Sequence, residues 1–378
     1  GVNDAGEKYF DGSGFNGDNT TGGTPANGNP NWLTASGLGP WSYSLSVTLP
    51  DGDYVLYGKV IDRAGNTSID GNPFVGTATG NTVRSRAFTI DNLAPQNMTI
   101  DEPFDGDITD NASTYFSSVD FDGTVDELNT LASVEYTVFA DDNGNGVFDA
   151  GESVYDATSN DFTNVNITWY DVDGYTENAS PTDDTWQVNT EITDIASAMD
   201  TYASGSDVDF KFRVRATDKA GNTSGYDEHT VTVDNIDPTG ALTYYYDIGT
   251  VGTYEPGTDT TAAEVMDGAE IWIVATFDEA MDSGTDVSID IDEDGTVATD
   301  VDMTSYSSTV YIYKYVPGTT PGGAPGADFT LDVIFNTGAD LAGNALTISP
   351  TSGQNALIID NTEPVSYIGA PADGIIVT

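Results

Sequence analysis

A five-residue element, Asp-x-Ala-Gly-Asn, occurs three times in this 378-residue chain. It reads D-R-A-G-N at Asp62–Asn66, D-K-A-G-N at Asp218–Asn222 and D-L-A-G-N at Asp340–Asn344. After each copy comes an Asp-Asn pair with a nearby proline: T-I-D-N-L-A-P at Thr89–Pro95, T-V-D-N-I-D-P at Thr232–Pro238 and I-I-D-N-T-E-P at Ile358–Pro364. Two elements recurring in the same order mark repeated units, and a chain built of repeats stacks cores instead of folding around one. The pairs place the unit boundaries near residues 91, 234 and 360, giving 1–91, 92–234, 235–360 and a further start at 361–378. The opening G-V-N-D-A-G-E matches Gly146–Glu152, and Lys8–Gly12 continues as Ser153–Ala157. The first unit is therefore expected to lack its N-terminal part, and both ends to be continued by adjoining sequence or by a neighbouring subunit.

Strand patterns dominate each unit. Trp41–Leu49, Tyr54–Ile61, Ser133–Ala140, Asp207–Thr217, Glu270–Phe277 and Ser308–Val316 are rich in β-branched and aromatic residues, and many alternate apolar with polar positions. Clusters of Gly, Asn, Asp and Pro punctuate them. One stretch, Thr193–Asp200, has the spacing of a turn or two of helix, with Ile195 and Met199 four apart. Units of this size with short strands favour β-sandwiches. Tyr54 stands eight residues before Asp62, and Phe210 eight before Asp218. In an immunoglobulin-like sandwich a Tyr at the start of strand F locks the preceding corner. The Ala-Gly-Asn that follows supplies residues suited to a tight F–G hairpin. The expected fold is all-β, with tandem immunoglobulin-like β-sandwich domains in a linear array.

At these residues the chain resembles the bacterial immunoglobulin-like repeats of large surface adhesins and other extracellular proteins, which carry a D-G-x-Y strand, a D-x-A-G-N turn and a closing V-D-N-x-x-P. Unit three, with T-F-D-E-A-M-D at Thr276–Asp282 and D-L-A-G-N-A-L at Asp340–Leu346, is similar to the related domains of surface-layer proteins. The resemblance implies an extracellular, cell-surface or secreted protein, part of an adhesin, surface layer or filament. Fold alone does not assign an activity.

Composition narrows the partners. There are 62 acidic residues against 10 basic ones, a net charge of -52, and beyond Asp234 the only basic residue is Lys314. Nucleic acid and anionic membrane surfaces both require Lys and Arg, so neither is an expected partner. An acidic surface attracts cations instead. No run of about 18 apolar residues is present, so direct membrane insertion by a helix is not expected. There is no cysteine to staple the units, a role metal ions can take over. One histidine, His229, and no cysteine leave no His-centred triad with a recognisable nucleophile, so a non-enzymatic role is expected.

Calcium is the expected cofactor. Asp141–Glu152, D-D-N-G-N-G-V-F-D-A-G-E, matches the calcium-loop template in full. Asp141, Asn143, Asn145, the Val147 carbonyl, Asp149 and Glu152 supply oxygens at positions 1, 3, 5, 7, 9 and 12, Gly146 makes the sharp turn, and Phe148 anchors the loop. The flanks read as strands, so the loop is expected without a helix pair. Asp290, Asp292 and Asp294 begin a second match, but Val301 stands where the bidentate Glu belongs, with Asp300 and Asp302 beside it as substitutes, and the alternative is an acidic strand end and turn. The three Asp-Asn linkers, notably Asp234, Asn235 and Asp237, sit where calcium stiffens cadherin-type junctions. Asp101, Glu102, Asp105, Asp107 and Asp110 form another acidic cluster beyond a junction.

Glycans are weaker candidates. Tyr311, Tyr313 and Tyr315 share a strand face, near Tyr244–Tyr246 in the same unit, where they either stack on sugars or form core. Sequons occur at Asn19, Asn66, Asn97, Asn111, Asn166, Asn178 and Asn222. The sequence thus favours a calcium-stabilised structural array over its alternative, an accessory or carbohydrate-binding region of a secreted enzyme.

Overall fold

A computed structural model describes residues 84–127, 130–177, 184–247, 250, 252–256, 258–293, 296–317, 328–347 and 357–365, with pieces of unit one at 8–10, 15–18, 35–36, 42, 44–45, 48–58 and 63–64. The described chain is mostly β, with sheets in a sandwich-like arrangement. In unit two, one sheet runs in the order Asp161–Asn164, Val154–Asp156, Leu131–Asp141, Val208–Asp218, Asp227–Val233 and Asp107–Thr109, with Tyr170–Asp171 paired to Leu131–Asp141. The facing sheet runs Gly174–Thr176, Asp184–Val188, Phe121–Asp126, Gln96–Glu102. All pairings within it are antiparallel; in the larger sheet Asp107–Thr109 alone runs parallel to its neighbour.

The alternation read in the sequence is the alternation of burial. Along Val208–Asp218 every second residue is buried, from Val208 through Phe210, Phe212, Val214 and Ala216 to Asp218. The intervening Lys211, Arg213 and Arg215 lie on the other face. There Arg213 stacks between the rings of Phe139 and Tyr226, and Arg215 lies over Trp169. Phe121, Trp186, Phe212 and Tyr136 fill the core between the sheets with edge-to-face ring contacts. The helix is longer than the sequence spacing suggests. It spans Glu191–Tyr202, three turns, because Ile192 and Ala196 extend the buried stripe of Ile195 and Met199. Its Asp200 accepts from the Ala112 and Ser113 N–H groups, opening the short helix Ala112–Tyr115.

Unit three pairs a sheet ordered 260–261, Gly240–Tyr246, Ile271–Phe277, Val310–Tyr315, Thr304–Ser307 with one ordered Glu264–Val265, Leu357–Ile359, Phe329–Thr337, Ser288–Glu293, 296–302. Glu264–Val265 again runs parallel, here to Leu357–Ile359. Units two and three thus share a device: a short strand early in the unit pairs in parallel with the last one. Of unit one, Gly52–Gly58 and Arg84–Ile90 form an antiparallel ribbon, and Tyr54 donates its hydroxyl to the Pro50 carbonyl at 2.6 Å. Residues 59–62 and 65–66, and residues 41, 43, 46 and 47 of Trp41–Leu49, lie outside the described residues.

Candidate metal centres at the unit junctions

The Asp-x-Ala-Gly-Asn element does more than turn a hairpin. In unit two, Asp218 Oδ1 accepts the Gly221 and Asn222 N–H groups at 2.7 and 2.9 Å, and Oδ2 accepts Asn222 Nδ2 at 2.8 Å. In unit three, Asp340 takes Gly343, Asn344 and Asn344 Nδ2 at 2.7, 2.9 and 2.8 Å. The glycine in each has a positive φ, +96° at Gly221 and +107° at Gly343, which an L side chain adopts at a cost. Both aspartates are 1% exposed.

The same asparagine then reaches the preceding linker. Asn222 Nδ2 donates to the Asp91 carbonyl at 3.1 Å, and Asn344 Nδ2 to the Asp234 carbonyl at 2.9 Å. The linkers share one shape. Asp91 Oδ1 accepts from Leu93 N, Asp234 Oδ1 from Ile236 N, and Asp360 Oδ1 from Thr362 N, an Asx-turn repeated three times. Between units two and three the turn also receives the Asp110 N–H at the Ala342 carbonyl, 3.2 Å. The Asp-Asn linker is therefore clasped by a turn of the unit that follows it.

Each clasp gathers three carboxylates. Asp91, Glu127 and Asp218 bring ligand atoms within 4.8 Å of one another, and so do Asp234, Glu279 and Asp340. The two triads are the same constellation. Each takes one acid from the linker, one from the turn, and one from the Asp-Glu dipeptide, Asp126–Glu127 or Asp278–Glu279, at the end of a strand early in the following unit. The dipeptide's first residue is tied to the unit's opening strand or to its approach: Asp126 accepts Asn97 Nδ2, and Asp278 accepts Thr239 N and Oγ1. A cavity of about 260 Å³ beside the first triad is lined by Asp91, Asn97, Asp126 and Glu127.

Crowding like charges raises the free energy of ionisation. Burial, reinforced by Asp234, Asp340, Asp278 and Asp207, pushes Glu279 up to about 7. Burial and the neighbouring Asp207 push Asp234 up to about 6. A proton or a cation relieves that repulsion. The donors are all carboxylate oxygens, the set that suits a hard divalent cation such as calcium.

The Asp141–Glu152 loop is held by hydrogen bonds within it. Asp141 Oδ1 and Oδ2 accept the Asn145 and Gly146 N–H groups, Asn145 Oδ1 accepts Val147 N, and Glu152 Oε2 accepts Asp149 N at 2.7 Å. Asp141 and Glu152 are both 3% exposed, and Phe148 packs edge-on against Phe139. Burial, together with Asp141, Asp149 and Asp142, raises the Glu152 carboxyl above its usual range. Asn143 and Asn145 turn their amide nitrogens onto Glu152 and Asp149. The loop lies between strands, without a helix pair.

Of the second loop match, Asp290 and Asp292 lie on Ser288–Glu293, which pairs antiparallel with 296–302. Its Ile289 and Ile291 are buried, and the two aspartates alternate with them on the other face. Asp294 lies outside the described residues. The acidic run beyond the first junction is dispersed: Asp105 accepts Thr230 N, Asp107 accepts the Tyr115 hydroxyl, and Asp110 meets unit three through its backbone.

Of the two readings of the tyrosine face, the structure takes the core: Tyr311 and Tyr315 are each 4% exposed, and Tyr313 packs against the same cluster. Asn222 of the sequon set uses its side-chain nitrogen in the clasp, and Asn111 caps a helix. Asn19, Asn66 and Asn178 lie outside the described residues. His229 Nδ1 lies 2.6 Å from the Pro103 carbonyl. Sequence reasoning missed Glu127 and Glu279. The repeated Asp-Glu pair after an apolar strand, V-D-E at Val125–Glu127 and F-D-E at Phe277–Glu279, is the signal that finds them.

No protein-family profile matches the chain, and no curated protein matches it. Among solved structures, the native conformation of E. coli alpha-2-macroglobulin is similar at 9% identity with a TM-score of 0.22, covering 79% of this chain and 20% of that one. A likeness at that score carries no argument about fold or function.

Proposed function

We propose that this chain is a structural segment of an extracellular array: immunoglobulin-like β-sandwich units docked end to end and stiffened by calcium at their junctions, as in an adhesin stalk, surface layer or filament. The observation that carries the reading is the recurrence of one clasp and one carboxylate triad at two successive junctions. A catalytic site has no reason to recur at every boundary, whereas a joint does. The parallel first-to-last strand pairing in units two and three and the Tyr54 corner support the immunoglobulin-like assignment.

In this reading Asp91, Glu127 and Asp218 hold one cation and Asp234, Glu279 and Asp340 another, with the Asp141–Glu152 loop as a separate site. A bound divalent ion supplies the positive charge that the surrounding carboxylates lack. The chain's own residues do the positioning: the turn aspartate is fixed by two backbone N–H groups, and the linker aspartate by its Asx-turn. Extracellular modules bind calcium at about 10⁻⁴–10⁻³ M, and a joint that stiffens only outside the cell fits that range.

Calcium titration calorimetry tests this. The double variant Glu127→Gln, Glu279→Gln is expected to bind two fewer ions than the parent while keeping the loop site. Unchanged stoichiometry, or no binding by the folded parent, overturns the proposal.

A further inference from the structure

The geometry points to a third, preformed half-clasp at the far end of unit three, which we propose accepts a following unit carrying its own Asp-x-Ala-Gly-Asn turn. The inference rests on the docking reading above and adds a specific surface and a specific occupant.

Strand register defines the equivalence. In unit two, Val233 pairs with Thr109, and the Asp234 N–H donates to the Thr109 carbonyl at 2.9 Å. In unit three, Ile359 pairs with Val265, and the Asp360 N–H donates to the Val265 carbonyl at 2.8 Å. Thr109 thus corresponds to Val265, and the next residue, Asp110, to Met266. The Asp110 N–H is the group that donates across the junction to the Ala342 carbonyl of the unit-three turn. The N–H of Met266, 65% exposed, has no hydrogen-bond partner among the described residues.

The linker at this end already has the docked shape. Asp360 makes the same Asx-turn to Thr362 that Asp91 and Asp234 make in their occupied clasps. Its Asn361 N–H is held by Asp328, as the Asn92 N–H is held by Asp51 in the linker after unit one. A cavity of about 620 Å³ lies beside it, lined by Tyr246, Glu264, Met266, Asp267 and Asp360. A linker conformation shared by two clasped positions and this one, with a donor N–H at the matching register, is built to receive the same turn. The occupant contributes an alanine carbonyl to Met266 N–H and an asparagine carboxamide to the Asp360 carbonyl. A peptide ligand or a sugar has no reason to match both.

The test joins residues 1–360 to a second copy of residues 235–378, so that a known turn follows Asp360 at the natural linker length. Amide hydrogen exchange is read at Met266 and at Asp110. Met266 is expected to exchange at least about ten-fold more slowly in the extended chain than in the 378-residue chain, because a closed clasp must open before exchange. Introducing Asn344→Ala in the added copy alone is expected to restore fast exchange at Met266 and leave Asp110 protected. Met266 exchanging equally fast in both chains while Asp110 stays protected overturns this inference and leaves the docking reading standing. Asp110 unprotected in the 378-residue chain overturns both.

Discussion

Replacing Asn344 by Ala removes the side chain that ties the unit-three turn to the Asp234 carbonyl of its linker. The carboxamide nitrogen donates to Asp340 Oδ2 at 2.8 Å and to the Asp234 carbonyl at 2.9 Å. Asp340 is 1% exposed, so its lost partner is a hydrogen bond to a buried charge, worth about 1.5–3 kcal/mol. The Asp234 carbonyl sits at a junction that opens to water once the clasp loosens, so it adds at most about 1 kcal/mol. The expected cost is therefore about 1.5–4 kcal/mol. It is divided between the fold of unit three and its docking onto unit two. Urea unfolding followed at Trp272, the only tryptophan of unit three, reads the first share. Exchange of the Asp110 amide, which donates across the junction to Ala342, reads the second. Asn222→Ala is an internal replicate, since Asn222 makes the corresponding bonds at 2.8 and 3.1 Å. A loss under about 0.5 kcal/mol with Asp110 still protected would falsify the clasp, because a buried charge cannot lose its partner at so little cost.

Other outcomes follow from the same geometry. Glu279 and Asp234 are raised to about 7 and about 6, so between the ordinary carboxylate range and pH 7 the folded chain binds more protons than the unfolded one. Stability in EDTA is then expected to fall as pH rises from about 4.5 to 7, and calcium or Glu279→Gln should flatten that slope; a melting temperature that climbs over this window in EDTA contradicts the assignment. Glu152→Gln is expected to weaken calcium at the Asp141–Glu152 loop and leave the junction ions in place, with the parent loop gaining about 2.7 kcal/mol at calcium one hundred times its dissociation constant; calorimetry showing equal loop affinity in both proteins argues against a bidentate role. Gly343→Ala places a Cβ at φ +107° and is expected to cost at least about 1 kcal/mol in urea unfolding. A neutral result there means the turn relaxes without strain.

Period-two patterning made some of the longer strands legible. Val208–Asp218 falls within one residue of the segment expected from it, because a half-buried strand must alternate; Ile271–Phe277 was legible from its run of β-branched and aromatic residues instead, being buried on both faces. At Ser288–Glu293 the acidic spacing was visible in the sequence, and the strand that carries Asp290 and Asp292 follows the burial of Ile289 and Ile291 between them. The internal hydrogen bonds of the Asp141–Glu152 loop were foreshadowed because its polar residues are contiguous, and a local pattern needs no knowledge of the rest of the chain.

The sequence alone determined that an Asp-x-Ala-Gly-Asn element and an Asp-Asn pair recur in the same order, and that strands such as Val208–Asp218 carry a buried and an open face, since each depends on order or on neighbours a few residues apart. Only the tertiary structure decided that these two elements meet. Asp91 and Asp218 are separated by most of a unit, and so are Asp234 and Asp340, while Glu127 and Glu279 join them from a strand end between. Their convergence depends on strand register and on how one sandwich seats on the next. Three carboxylates scattered over more than a hundred residues become one electrostatic site because two folded units, and no local spacing, hold them together.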